Sequence, residues 1–328
     1  MLEESGARFL LYTVAAEPVV ENGRLGGVII ENKSGRQAVL AKVVIDATGD
    51  GDMAARAGAA YVKGRETDGS MQPVSIMFKV GGVDYDRAVF PGKFEDYIQL
   101  PAGEIQALGK AHLPFPAGHV LLYRTSLPGV VTCNMTNCIE VDGTNAEDLA
   151  RATLTCRRQM QPIVEFLRAY VPGYENCYIL SSAGLIGVRE TRHFKGLQTL
   201  TEQDIRDSRV FPDWAVTRAS FNFDVHNMSG NGLDATGQQD AFEPTFYTIP
   251  YGCLVPETLD GLLLAGRNIS GTHMAHANYR VMPICANMGQ AAGVAAALCV
   301  KQGIQPRALD VDCLQKELLA NGVLPPQA

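Results

Sequence analysis

Three groups of residues in this chain have side-chain types and spacings that could do chemistry. The first is Gly187-Val188-Arg189-Glu190-Thr191-Arg192-His193, with Asp224-Val225-His226 further along. Arg189 and Arg192 each carry a planar guanidinium able to hold a carboxylate through two parallel hydrogen bonds. His226 is a candidate acid or base, with Asp224 close by to orient its ring. The same residues would also suit a surface ion-pair loop. Lone histidines such as His112 and His119 read as structural. His273 and His276 stand nearer to chemistry, because they fall in a loop beyond a predicted strand.

The second group is Gly49-Asp50-Gly51-Asp52-Met53-Ala54, which satisfies G-x-G-x-x-A between a predicted strand and a predicted helix. Two features argue against a main pyrophosphate site. Asp50 and Asp52 stand where phosphate oxygens would approach, and the loop holds no Lys or Arg. The acidic residue expected on a second parallel strand about 20 residues on is replaced by Glu66 and Asp68 in a polar, glycine-containing stretch. A turn bringing backbone close to a cofactor edge fits better, and a plain strand-to-helix turn is the simplest reading.

The third group is C-terminal: Gly266-Arg267-Asn268-Ile269-Ser270, Asn278-Tyr279-Arg280-Val281-Met282-Pro283 and Gly289-Gln290-Ala291-Ala292-Gly293. Ligands of α/β sheets bind beyond the carboxyl ends of strands, and a predicted strand ends at Ala265-Gly266. Small residues let a helix approach a ligand or a sheet closely, and its N-terminal N–H groups can hold an anionic oxygen. Tight packing of an Ala/Gly-rich helix on a sheet would use the same residues.

These groups need elements to position them. Ala7–Val14 reads as a strand after a helical turn that ends at Gly6. Asn22-Gly23 marks a hairpin between strands, and Val39–Ile45 reads as a buried strand leading to the Gly49 turn and a helix at Met53–Ala60. Met71–Gly82, Val120–Tyr123 and Val130–Met135 are strand candidates. Thr144-x-x-Glu147 reads as a capping box opening a helix to about Tyr170, with a kink expected at Pro162. A strand at Cys177–Ser181 and a helix capped by Thr201 follow, and 211–245 reads as loop. Leu262-Leu263-Leu264 suits a central parallel strand. A loop of about twenty residues then leads to a helix from Pro283 to Lys301 closed by Gly303, and a last helix spans 310–319. The pattern divides the chain into an α/β domain of residues 1–65 and 246–328 and an inserted α+β domain of residues 66–245.

The 328 residues are 46% hydrophobic and 19% charged, with a net charge of −7. No basic stripe suggests a nucleic-acid partner. No apolar stretch reaches the ~18 residues that read as a bilayer span, the strongest candidate being Gly289–Val300, so no membrane partner is expected. The eight cysteines are scattered, and the closest pair, Cys133 and Cys138, has four residues between them. That predicts reduced thiols in a cytoplasmic protein and no metal or iron–sulfur site.

Taken together, Val44-Ile45-Asp46-Ala47-Thr48-Gly49-Asp50-Gly51-Asp52, Gly187–Arg192, Asp224-Val225-His226, Ile249-Pro250-Tyr251 and Ala265–Gly293 occur in an order that resembles the FAD-dependent oxidoreductase family. Its superfamily includes the fumarate reductase and succinate dehydrogenase flavoproteins and the flavin subunit of heterodisulfide reductase. The resemblance implies a split Rossmann-like FAD domain with a substrate domain inserted. It implies FAD near Thr48, Gly49 and Asp50, with Gly266 and Arg267 at its ribityl–pyrophosphate region. Arg280 and the helix around Gly289, Gln290 and Ala291 would lie by the isoalloxazine ring. Arg189, Arg192 and His226 would face a small polar or anionic substrate, for hydride transfer to flavin N5.

The chain departs from the family in one respect. The strand–GxGxxG–helix unit of ~30 residues with which family members begin is not found, and Met1–Gly6 reads as the middle of a longer protein. An incomplete FAD domain is therefore expected, binding FAD weakly or not at all when alone. The alternatives are a non-catalytic fragment, a chain completed by a partner or by another copy, and a true nucleotide site at Gly49–Ala54 in a different α/β enzyme.

Overall fold

A computed structural model describes residues 2–93, 96–232 and 245–326. Two compact units are present. The first takes in Met1–Val62, Arg192–Asn222 and Phe242–Ala328, and the second Lys63–Thr191 and Phe223–Ala241. The architecture is mixed α/β, as the sequence implies. Residues 192–222, expected in the inserted part, cluster with the first unit. Their strand Trp214–Ala219 is hydrogen-bonded antiparallel to Tyr247–Pro250.

The first unit opens with a three-stranded meander, Val14–Glu21, Arg24–Asn32 and Gly35–Leu40. Asn22 and Gly23 both have positive φ (51° and 75°), and Glu21 faces Arg24, which is the two-residue hairpin geometry that Asn-Gly favours. The strand expected at Ala7–Val14 begins only at Val14, because its partner ends at Asn32 and offers nothing further to pair with. Residues 2–6 form a turn.

Val44–Asp46 and Leu262–Leu264 pair in parallel with Asp46 opposite Leu264, so their following turns leave the same end of the pair. The helix expected at Met53–Ala60 is shorter, Asp52–Arg56, and Gly58 at φ +89° follows it.

Two elements lie where loop was expected. Trp214–Ala219 is buried on both sides, apart from Arg218, and so lacks the alternation by which a half-buried strand is recognised. His273–Tyr279 is a short helix capped by Thr272, whose side chain accepts from the Ala275 N–H. The C-terminal helices are as expected to within a residue or two: Met282–Gln302, ended by Gly303 at φ +70°, and Val311–Ala320, capped by Asp310.

Met282–Gln302 is longer than the apolar stretch read from the sequence, and by length and composition it could cross a bilayer. Its Ile284, Met288, Ala291, Ala292, Ala295 and Cys299 form a buried stripe that packs on the strands of this unit.

The second unit is built on a four-stranded antiparallel sheet in the order Tyr178–Ser182, Phe78–Gly81, Val131–Cys133, Leu122–Arg124. The helix Ala146–Tyr170 joins the same hydrophobic core through Ala152, Cys156, Met160, Ile163, Val164 and Leu167. Its cap is Asn145 rather than the expected Thr144. The Asn145 side chain accepts from the N–H groups of Glu147 and Asp148, while Thr144 bonds Asp142. The helix runs on through Pro162. Thr201 caps the first unit's helix Glu202–Arg206 as read, and Asp204 completes a capping box with it. All eight cysteines are free thiols.

Candidate cofactor and substrate sites

In the first unit the Gly49 turn is organised by a residue that the motif reading passed over. Asp46 is 1% exposed, and its carboxylate accepts the N–H (3.0 Å) and hydroxyl (2.7 Å) of Thr48 and the N–H of Ala54 (2.8 Å). It thereby ties the end of the strand to the start of the following helix. Its carbonyl accepts from Ala265 N (3.1 Å) and Asn268 Nδ2 (2.9 Å), which fastens this turn to the one after Leu264. The signal was present in the sequence as an acidic residue closing an apolar strand. Only the fold shows that it points inward.

The two aspartates of the turn face cations brought from elsewhere in the chain. Arg267 Nη1 lies 3.1 Å from Asp50 Oδ1. Arg192 Nη1 donates to the Asp50 carbonyl and to Asp52 Oδ1, both at 2.9 Å, with its guanidinium over the Tyr61 ring. The sequence expectation set Arg192 among residues facing a substrate, whereas here it braces the Gly49–Asp52 turn.

The glycines of the turn serve internal packing. A Cβ on Gly49 would lie 2.5 Å from Arg267 Nη2, and one on Gly51 would land on the Phe194 ring. The strand that follows, Tyr61–Lys63, is not hydrogen-bonded to Val44–Asp46, so these elements make no βαβ unit. This removes the structural context that a nucleotide site at Gly49–Ala54 would need.

Other glycines do face open space. A Cβ on Gly266 (φ +109°), Gly289 or Gly293 would meet nothing within 4 Å. Gly289 and Gln290 are exposed on the helix Met282–Gln302, while Ala291 is buried. That helix starts at Val281 with Pro283 in its first turn and no side-chain cap, leaving its leading N–H groups without a side-chain acceptor. Half-buried Arg280 immediately precedes the start. Thr48 is exposed at the neighbouring turn. The helix Met282–Gln302 packs on both parallel strands, so its uncapped start and Arg280 belong to the same unit as the Gly49 and Gly266 turns. His273 and His276 are both buried, and the His276 ring meets His193 and Tyr279 edge-on.

The second unit gathers a separate polar cluster. Buried His226 has its Nε2 3.5 Å from Asp224 Oδ1. Its backbone N–H donates to Gln72 Oε1 (3.2 Å). Arg189 Nη1 donates to the Pro73 carbonyl (2.6 Å), and the Gln72 N–H donates to Glu190 Oε2 (3.0 Å). The dipeptide Gln72-Pro73 thus holds the arginine loop and the histidine loop together.

His119, read as structural, belongs to this cluster. Burial, with His226 and Arg189 nearby, pushes it down to about 3, so it stays neutral. Asn134 lies beside both the His119 ring and the Tyr123 phenol, which burial pushes up. The loop carrying His119 is held by Asn137, whose Nδ2 donates to the carbonyls of Pro116 (3.3 Å) and Gly230 (3.2 Å). No sequence pattern links residues 119, 123 and 226; the fold alone brings them together. Arg189 and His226 therefore share one unit, with Arg192 and Arg280 on the other.

A family model described as FAD dependent oxidoreductase matches residues 1–318. No curated protein matches the chain. Among solved structures it is similar to a geranylgeranyl bacteriochlorophyll reductase-like protein from Thermoplasma acidophilum (13% identity, TM-score 0.47, 97% of this chain and 56% of that one). It is similar also to a flavin-dependent brominase (10%, 0.41, 97% and 56%) and to L-proline dehydrogenase from P. horikoshii (15%, 0.33, 98% and 58%). The chain spans little more than half the length of these structures.

Proposed function

From membership of the FAD dependent oxidoreductase family, to which this chain belongs, we propose that it binds FAD on its first unit and oxidises or reduces a small polar or anionic substrate held by its second. The observation that carries the reading is the open surface of the first unit. Two parallel strands deliver their turns side by side, Gly266 opens one of these turns, and the helix packed on both strands starts without a side-chain cap and carries bare Gly289 and Gly293. Gly49 and Gly51 have packing reasons to be glycine and Gly266 a backbone one (φ +109°); Gly289 and Gly293 have neither.

Bound FAD would supply a two-electron acceptor for hydride from a substrate carbon. The chain's own residues have separate tasks. The leading N–H groups of Met282–Gln302, with Arg280, stabilise negative charge on the bound group. Arg267 holds the Gly49 turn in place through Asp50. In the second unit Arg189 pairs with a substrate carboxylate, and His226, oriented by Asp224, takes the proton leaving a hydroxyl or amine as the hydride departs. His119 contributes a neutral ring and so adds no further positive charge beside Arg189.

Size-exclusion chromatography of the chain with added FAD tests the binding step. Flavin absorption eluting with the protein supports the reading, and protein that elutes without flavin at saturating FAD refutes it for this chain alone. A second reading, in which a partner chain or another copy completes the cofactor domain, is favoured by one observation. Leu10, Leu11 and Leu40 of the first unit are 57%, 70% and 73% exposed. In that case flavin would co-elute only in an assembly larger than the monomer.

A further inference from the structure

Gln72 is 1% exposed, and its carboxamide has one internal bond, from the His226 N–H to Oε1. Because that partner is a donor, the atom facing it must be the oxygen, which fixes the orientation of the amide. The other end, Nε2, carries two N–H donors, is shut off from solvent, and has no hydrogen-bond partner among the described residues. Leaving such a donor unsatisfied is costly, and native proteins keep few of them. The surroundings explain why this one persists. The residue's own backbone is bonded to Glu190, and the next carbonyl, Pro73, holds Arg189 at 2.6 Å. Gln72 is therefore tied by its backbone and its Oε1 to the loops that carry Arg189, Glu190 and His226.

We propose that Gln72 is a substrate-binding residue, donating Nε2–H to a carbonyl or carboxylate oxygen, and that the second unit takes small carboxylates with a second oxygen acceptor, the 2-oxo acid class among them. This rests on the reading of the second unit as the substrate-binding one. Arg189 sets the charge of the ligand and Gln72 sets its hydrogen-bonding pattern. A ligand with a methyl group in place of the acceptor leaves Nε2 unsatisfied and is discriminated against. Asp224 and Glu190 bring negative charge to the same cluster, so monocarboxylates are preferred over dicarboxylates.

The test is calorimetric titration of the full chain with pyruvate, which carries a carboxylate and a carbonyl and no donor of its own. Four proteins are compared: the unaltered chain, Gln72→Met, Gln72→Glu and Arg189→Met. Gln72→Met keeps the length and removes the donor. It is expected to weaken pyruvate about tenfold or more, the loss of one hydrogen bond to a charged or polar oxygen. Gln72→Glu keeps the shape and opposes an acceptor to an acceptor, and is expected to weaken it further. Equal affinity in Gln72→Met, with affinity lost in Arg189→Met, would overturn the role of Gln72 and leave the substrate-unit reading standing. No pyruvate binding by the unaltered chain would overturn both. A crystal structure in which Nε2 donates to a protein oxygen would also overturn the inference, and it does not depend on the variants folding.

Discussion

Replacing Asp46 with alanine removes the acceptor on which the first unit's turn is built. Three donors end on this carboxylate at 2.7–3.0 Å, two of them backbone N–H groups, and the side chain is 1% exposed. The alanine variant leaves the Thr48 and Ala54 N–H groups without that acceptor. At about 1–3 kcal/mol per stranded buried donor, the cost should be on the order of 3–5 kcal/mol, after some relief from water entering beside exposed Thr48. Asp46→Asn should fall between, because its oxygen can keep the Thr48 bonds while its NH2 opposes the Ala54 N–H. Urea denaturation followed by far-UV circular dichroism measures both, with Thr48→Val as the partner for a double-mutant cycle. Asp46 and Thr48 share a bond, so their effects should not add. A cost below about 1 kcal/mol for Asp46→Ala, or strict additivity with Thr48→Val, would refute the claim that this carboxylate organises the turn.

Gly51→Ala should destabilise by about 1–3 kcal/mol, since its Cβ would strike Phe194 and its backbone is left-handed at φ 65°; thermal melting of the variant measures this. Asn145→Ala should cost about 1 kcal/mol through loss of the cap on Ala146–Tyr170, read by the same denaturation assay. His119 gives a pH dependence. Its folded value of about 3 lies below the unfolded 6.5, so the unfolded chain binds the extra proton, and stability contributed by neutral His119 is complete above 6.5 and lost as pH falls towards 3. The slope is about 1.4 kcal/mol per pH unit within that window. Denaturation midpoints across it should fall less steeply for His119→Gln, and identical slopes would contradict the assignment.

Features set by nearest neighbours along the chain were legible in the sequence. Asn22-Gly23 gives its hairpin, Thr201 and Asp204 their capping box, and Gly303 its helix stop, because each depends on residues within one turn. Trp214–Ala219 was not legible. Burial on both sides removes the alternation, and its partner Tyr247–Pro250 is distant in sequence. The site follows the same division. The Gly49 turn and the C-terminal helix could be located from their glycines, but which glycines face open space and which face Phe194 or Arg267 is a tertiary fact. Arg192 shows the limit most clearly. Three residues from Arg189 along the chain, it is turned to Asp50 and Asp52, and a charge in a motif does not reveal which carboxylate the fold will bring to it.

Gly289→Leu distinguishes a flavin-binding surface from one that is merely open. Nothing lies within 4 Å of the added Cβ, and glycine inside a helix costs about 1 kcal/mol relative to good helix formers, so the variant should fold at least as stably as the natural chain. The bulky side chain would cover the surface assigned to FAD. Flavin-fluorescence titration of both proteins is the measurement. The natural chain should bind FAD, and Gly289→Leu, folded and no less stable, should not. Equal FAD affinity in the two would contradict the assignment.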